Sequence, residues 1–251
     1  MEFYLGSGAR ERHTSRKRRE ETVKGRLIVI EGLDGSGKAT QTGLLCEALE
    51  KRGAAVRKVS FPDYSSDSSA LVKMYLNGEF GHDPASVNAY AASTFYAVDR
   101  YASYKKDWGG FYEAGGVILA DRYTTSNAVH QCCKLPEEEW DAYLSWLFDF
   151  EYRLMGIPAP DMVIYLQVDV DESQQLMSGR YAGHEEKKDI HESNIAYLNR
   201  ARRAADYCGK ALGWETVRCC REGTLRAVED IHAEIMSLVE GLDRMGESDE
   251  G

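Results

Sequence analysis

After residue 25 the chain alternates between two hydrophobic rhythms. Short, nearly continuous Val/Ile/Leu runs have the character of strands covered on both faces. They span Arg26–Glu31, Ala54–Ser60, Val117–Asp121, Met162–Val168 and Glu215–Cys219. Between them, apolar positions recur at spacings of three and four, the period of a helix with one buried stripe. This predicts helices over Lys38–Arg52, Ser86–Asp107, Glu137–Met155, Asp171–Gly179, Glu192–Leu212 and Leu225–Leu242. Pro136 ahead of Glu137-Glu138-Glu139 is the composition of a helix start. The alternation predicts an α/β domain: a five-stranded, mostly parallel sheet covered by helices, with ligands gathered at the carboxyl ends of the strands.

One junction between strand and helix carries most of the chemistry. The run Leu27-Ile28-Val29-Ile30-Glu31 leads into Gly32-Leu33-Asp34-Gly35-Ser36-Gly37-Lys38-Ala39-Thr40. The spacing is G-x-x-x-x-G-K between a strand and a helix, the setting of a phosphate-binding loop. Gly32, Gly35 and Gly37 allow positive φ, so that backbone N–H groups can curl around an anion. The positive end of the following helix points to the same place, and Lys38 adds a point charge. The loop and its flanks, from Gly32 through Leu33, Asp34, Gly35, Ser36, Gly37 and Lys38 to Ala39 and Thr40, predict a nucleoside triphosphate site. The position after Lys38 usually carries a hydroxyl for Mg²⁺. Here it is Ala39, and two options stand: Thr40 takes the metal, or the metal rests on waters and carboxylates, which Mg²⁺ tolerates readily.

Four further groups bear on function. Asp121-Arg122-Tyr123 leaves a predicted strand at the ligand edge, where an arginine can fork onto phosphate and a carboxylate can hold a metal-bound water. Tyr96 and Arg100 stand four apart on a predicted helix and share a face. Ser126 and Asn127, with His130 and Gln131 beyond, follow Arg122 closely; an amide can both donate to and accept from a base edge. The polar, glycine-flanked segment 179–190, with Arg180 and His184-Glu185-Glu186-Lys187-Lys188, has the composition of a lid that closes over phosphates.

Charge and cysteine content narrow the class. The 251 residues carry a net charge of −10, which argues against nonspecific nucleic-acid binding. Residues 1–25 hold seven Lys/Arg against four Glu, a net of +3, so the rest carries −13. The cluster Arg16-Lys17-Arg18-Arg19 predicts a disordered basic tail over 1–24, ahead of a domain over 25–242 and a frayed acidic tail over 243–251. No stretch approaches the ~20 apolar residues of a membrane span, and residues 1–24 lack the apolar core of a signal peptide. Cys46, Cys132, Cys133, Cys208, Cys219 and Cys220 form no C-x-x-C pair, which suits reduced thiols in a cytoplasmic protein.

Taken together, Glu31–Lys38, Phe61-Pro62, Asp121-Arg122-Tyr123 and Ser126-Asn127 resemble the thymidylate kinase family, from about Gly25 to Leu242. The resemblance implies a three-layer P-loop kinase fold with a short lid and ATP-dependent phosphorylation of dTMP, with Mg²⁺, in dTTP biosynthesis. It implies that Asp34 bonds the deoxyribose 3′-hydroxyl, that Lys38 bridges donor and acceptor phosphates, and that Arg122 and Arg100 hold the dTMP phosphate. Tyr96 would stack on thymine, Asn127 with Ser126 would read the base edge, Asp121 would support Mg²⁺, and Arg180 would act from the lid. Tyr64 would contact the acceptor where many members use an arginine, since Asp63 occupies that place here. His130 stands where a tyrosine commonly lies near the sugar 2′ position. Members are commonly homodimers. Two other readings stay open on the residues alone: a deoxynucleoside kinase with Glu31 as general base, and a nucleotide-binding regulator without catalysis, which Ala39 keeps open.

Overall fold

The computed structural model describes residues 24–169, 172–173, 195–221 and 223–248. Five strands form one parallel sheet: β1 (Arg26–Glu31), β2 (Val56–Ser60), β3 (Val117–Asp121), β4 (Met162–Gln167) and β5 (Glu215–Arg218), in the order β2-β3-β1-β4-β5. All four pairings are parallel. Ile30 pairs with Asp121 and Glu31 with Tyr165, so the acidic ends of β1 and β3 emerge side by side at the carboxyl edge.

The strand pattern is continuous because both faces are covered. Ile28 and Ile30 of β1 pack in one core with Leu45, Leu119, Ile164, Val217 and Ile235. Leu27 and Val29 point the other way, into a core with Trp108, Ile118 and Tyr123. Successive strand side chains alternate faces, so a strand with two buried faces needs no polar positions. The first layer is built by helices α1 (Lys38–Lys51) and α8 (Val228–Ser248). On the other side lie α3 (Ala89–Ser103), which continues through a π-helical turn over Tyr104–Trp108, and α4 (Gly109–Glu113). Helices α5 (Thr124–Cys132), α6 (Trp140–Phe148) and α7 (Ile195–Ala211) share a third core around Val129, Tyr143, Leu147 and Tyr197.

Several predicted boundaries shift. The helix expected from Ser86 starts at Ala89, because the Asn88 side chain accepts from Ala91 N and caps it. The helix expected over Glu137–Met155 is a 3-10 turn (Glu137–Glu139), α6, and a π-helical turn over Asp149–Leu154. The last helix, expected to stop at Leu242, continues to Ser248, so the end read as frayed is helical that far. Helices α2 (Ala70–Leu76), α4 and α5 were not predicted, nor was a small antiparallel hairpin of β6 (Cys220–Arg221) and β7 (Thr224–Leu225). The start of α5, Thr124-Thr125-Ser126-Asn127, is made of residues whose side chains compete for backbone hydrogen bonds and read as loop. The expected helix over Asp171–Gly179, except residues 172–173, and the lid over 179–190 lie outside the described residues. Among the described residues, no helix is long and apolar enough to cross a membrane.

Candidate active site

The loop between β1 and α1 has the geometry that its glycines imply, with one difference. Gly35 and Gly37 sit at φ 77° and 83°, where other residues are strained. Gly32 is required for space instead: a Cβ there would lie 2.4 Å from Ser36 Oγ and 3.0 Å from the Leu166 carbonyl. Ser36 N donates to the Leu33 carbonyl at 3.1 Å and closes the turn. Among the described residues, the buried Ser36 Oγ has no hydrogen-bond partner, an orphaned polar group of the kind a bound ligand satisfies. Lys38 folds back over the loop, its Nζ donating to the Leu33 carbonyl at 2.8 Å. Burial first, and then the nearby Arg122 charge, push its pKa down to about 8. Ala39 and Thr40 are both exposed on α1. The hydroxyl of Thr40, one helical residue or about 100° further round, makes no hydrogen bond among the described residues.

At the end of β3, Arg122 is the one non-glycine residue with positive φ (67°) among those described. Strain of this kind is held by surrounding contacts, and here they are dense. Nη2 pairs with the Asp34 carboxylate of the phosphate loop. Nη1 donates to Ser126 Oγ at 3.1 Å and lies 3.3 Å from His130 Nε2. The Glu31 carboxylate lies 3.7 Å from Nη1. Burial works against the Arg122 charge, but Asp34, Glu31 and Asp121 outweigh it and raise its pKa above the ordinary value. Arginine only donates, so His130 Nε2 must accept and Nδ1 must carry the proton, which it offers to Tyr197 OH at 3.1 Å. Burial and the neighbouring Arg122 push the His130 pKa down to about 3, so the ring is neutral at physiological pH.

Glu31 is buried at the centre of this frame. It accepts from Thr125 Oγ1 at 2.6 Å, from Ser126 Oγ at 2.9 Å and from Gly32 N at 3.0 Å. It therefore ties the start of α5 to the end of β1. The Asp121 side chain, half-buried beside Lys38 and Arg122, takes no hydrogen bond among the described residues. That carboxylate, together with the orphaned Ser36 hydroxyl, suits a hydrated divalent cation better than Thr40 does.

A narrow cleft opens beside this frame. The structure brings all eight predicted acceptor residues to its wall: Asp34, Tyr64, Tyr96, Arg100, Arg122, Ser126, Asn127 and His130. Each element contributes by its position at the carboxyl edge. Tyr96 and Arg100 come from one face of α3, Ser126, Asn127 and His130 from one face of α5, and Asp34 from the phosphate loop. Phe61, Pro62, Leu76, Tyr123 and Gln131 complete the lining. Gln131 is fully buried, and among the described residues neither its Oε1 nor its Nε2 has a partner. The sequence placed it next to His130 but gave it no role; an unpartnered amide in a cleft wall becomes visible only in three dimensions. Arg180 lies outside the described residues.

The family model for thymidylate kinase matches residues 30–235. A thymidylate kinase of Mycobacterium tuberculosis is 33% identical over 155 residues, covering 61% of this chain and 71% of its own. A probable thymidylate kinase of Thermococcus onnurineus is 32% identical over 216 residues, covering 85% of this chain and 97% of its own. The solved thymidylate kinase of Candida albicans superposes with a TM-score of 0.64 at 20% identity, over 87% of this chain and 92% of that one, which establishes the shared fold. On the match over 30–235 and the likeness along nearly the whole Thermococcus relative, the chain belongs to the thymidylate kinase family.

Proposed function

We propose that this chain transfers the γ-phosphoryl group of Mg·ATP to dTMP, giving dTDP and ADP, with ATP on the loop over Gly32–Thr40 and dTMP in the cleft beside it. The observation that carries the reading is the junction of the two sites. Arg122 touches Asp34 of the phosphate loop on one side and Ser126 and His130 of the cleft on the other. A monophosphate in the cleft would take over N–H groups that Arg122 now gives to Asp34, in reach of the γ-phosphate held by Lys38. Phosphate acceptors are ionised near pH 7, since their second pKa is ~6. Positioning and charge neutralisation then supply most of the acceleration, and no general base is needed.

Within this reading Asp34 meets the sugar hydroxyl once Arg122 turns to phosphate, and Tyr64 and Tyr96 flank the nucleoside. Arg100, expected to hold the acceptor phosphate, is instead drawn back by its buried pair with Glu151, and we assign it with Asn127 and Gln131 to the base edge; His130 lies under the sugar. Asp121 would hold Mg²⁺ through water, and the ion would supply charge neutralisation for the phosphoryl group in transfer. Arg180 is proposed to reach the transferring group from the lid, so R180A should lower kcat far more than KM; an unchanged kcat removes that role. We also propose a cytoplasmic homodimer, with Val98 and Tyr101 on the exposed face of α3 available to a second copy.

The deoxynucleoside-kinase reading needs Glu31 as a base for a neutral hydroxyl. Its carboxylate is buried and already accepts from Thr125, Ser126 and Gly32, which leaves it poorly placed for that task. ADP release measured with dTMP, dUMP, UMP, dCMP, AMP and thymidine tests the assignment. Preference for dTMP supports it, and equal or faster turnover of AMP or thymidine refutes it.

A further inference from the structure

Glu151 sits in the π-helical turn that follows α6, behind the cleft, and the proposed transfer does not use it. π-Helical turns recur at functional sites. Its carboxylate is fully buried and accepts from Arg100 Nε at 2.7 Å, Arg100 Nη2 at 2.5 Å, Thr124 Oγ1 at 2.9 Å and Asn127 Nδ2 at 3.4 Å. Arg100 and Asn127 line the cleft. A carboxylate only accepts, so Glu151 dictates which edges of these two neighbours are left over. Asn127 turns its NH₂ towards Glu151 and towards the Ser93 carbonyl at 3.2 Å. Its Oδ1, without a partner among the described residues, is then what it offers the cleft. Arg100 gives three of its five N–H groups to Glu151 and to the Tyr123 carbonyl, which leaves donors over.

The remainder is one donor face and one acceptor. A 4-oxo pyrimidine complements it, because O4 accepts and N3–H donates. A 4-amino pyrimidine reverses both, setting donor against donor and acceptor against acceptor. A half-turn of the Asn127 amide would relieve one mismatch in water, but here it would drive Oδ1 against the Glu151 carboxylate.

We infer that Glu151 is a positioning residue that sets base specificity. It holds the Arg100 guanidinium and the Asn127 amide in the orientation that admits thymine or uracil and excludes cytosine. Buried ionic groups can be kept for specificity rather than stability. The inference rests on the cleft being the monophosphate site.

Steady-state kinetics with ATP and dTMP, dUMP or dCMP, on the full chain and its E151Q variant, test it. Wild type should favour dTMP over dCMP by about 10²-fold or more in kcat/KM. E151Q should cut that ratio at least about tenfold while leaving the dTMP/dUMP ratio and the KM for ATP unchanged. A purely structural role would depress all acceptors together and leave the dTMP/dCMP ratio intact, and that result overturns the inference. If E151Q does not fold, E151D decides by the same ratio: it keeps the charge beside Arg100 but draws the carboxylate back from Asn127. Selective wild type with an unchanged variant ratio refutes the Glu151 role alone. A wild type that phosphorylates no pyrimidine monophosphate removes the acceptor-site reading, and the inference with it.

Discussion

Lys38 gives the sharpest quantitative test of the phosphate site. Its amine is buried beside Arg122, and its pKa lies at about 8 rather than 10.5. About 10% of Lys38 is therefore deprotonated at pH 7, about 50% at pH 8 and about 90% at pH 9. A triphosphate placed against it restores the charged form, so binding must draw a proton from solvent. Uptake should be about 0.1 proton at pH 7, about 0.5 at pH 8 and about 0.9 at pH 9. Above pH 8 the nucleotide is fully ionised and adds no proton of its own. Affinity should then fall about fivefold from pH 8 to pH 9 and approach tenfold per unit above that. Calorimetric titration with a non-hydrolysable ATP analogue, in buffers of different ionisation enthalpy, reads the uptake directly. K38R should abolish it, since arginine stays charged. Uptake near zero at pH 9 in the wild type would refute the placement of Lys38 against the phosphates.

Three further outcomes follow from the same frame. His130 is held neutral with a pKa of about 3 against an ordinary 6.5. The unfolded chain therefore binds the extra proton between these values, and stability falls as pH drops through that window. The slope is up to about 1.4 kcal/mol per pH unit, and urea unfolding from pH 6.5 to pH 4 should show H130N losing less stability than wild type; equal slopes refute it. E151L strands the Arg100 charge in the core and should cost about 3–5 kcal/mol, whereas the double change R100M/E151L should recover most of that in urea unfolding; a single variant costing under about 1 kcal/mol refutes a true buried pair. G32A forces a Cβ to 2.4 Å from Ser36 Oγ and should raise the KM for ATP about tenfold or more; an unchanged KM would show that the loop yields.

Much of this arrangement was legible in the sequence, because its strongest signals are local. The runs Leu27–Ile30 and Ile118–Ala120 are buried on both faces and could only be central strands, and the Gly32–Lys38 spacing fixes what lies between strand and helix. The predicted acceptor residues converge on one cleft because the strand ends, the phosphate loop, the second half of α3 and the helix α5 meet at the carboxyl edge. Long-range partnership was not legible. Glu151 lies in the aromatic run Phe148-Asp149-Phe150-Glu151-Tyr152, where nothing local marks it as the buried partner of Arg100, 51 residues away. Helix α5 was hidden for the same reason. Its Thr124, Thr125, Ser126 and Asn127 look like loop residues until Glu31 and Glu151 accept from them. The positive φ of Arg122 belongs to this class too, since the contacts that hold it come from β1, the phosphate loop and α5.

The central claim is that one continuous site grips two phosphorylated ligands end to end, with Lys38 and Arg122 at the seam. A crystal structure with a bisubstrate analogue, adenosine and thymidine joined through a phosphate chain, tests it most directly. The account predicts the chain crossing from Lys38 to Arg122, with thymine against Arg100 and Asn127. An analogue whose thymidine end lies outside the cleft, or whose phosphates meet only one of the two cations, would contradict it.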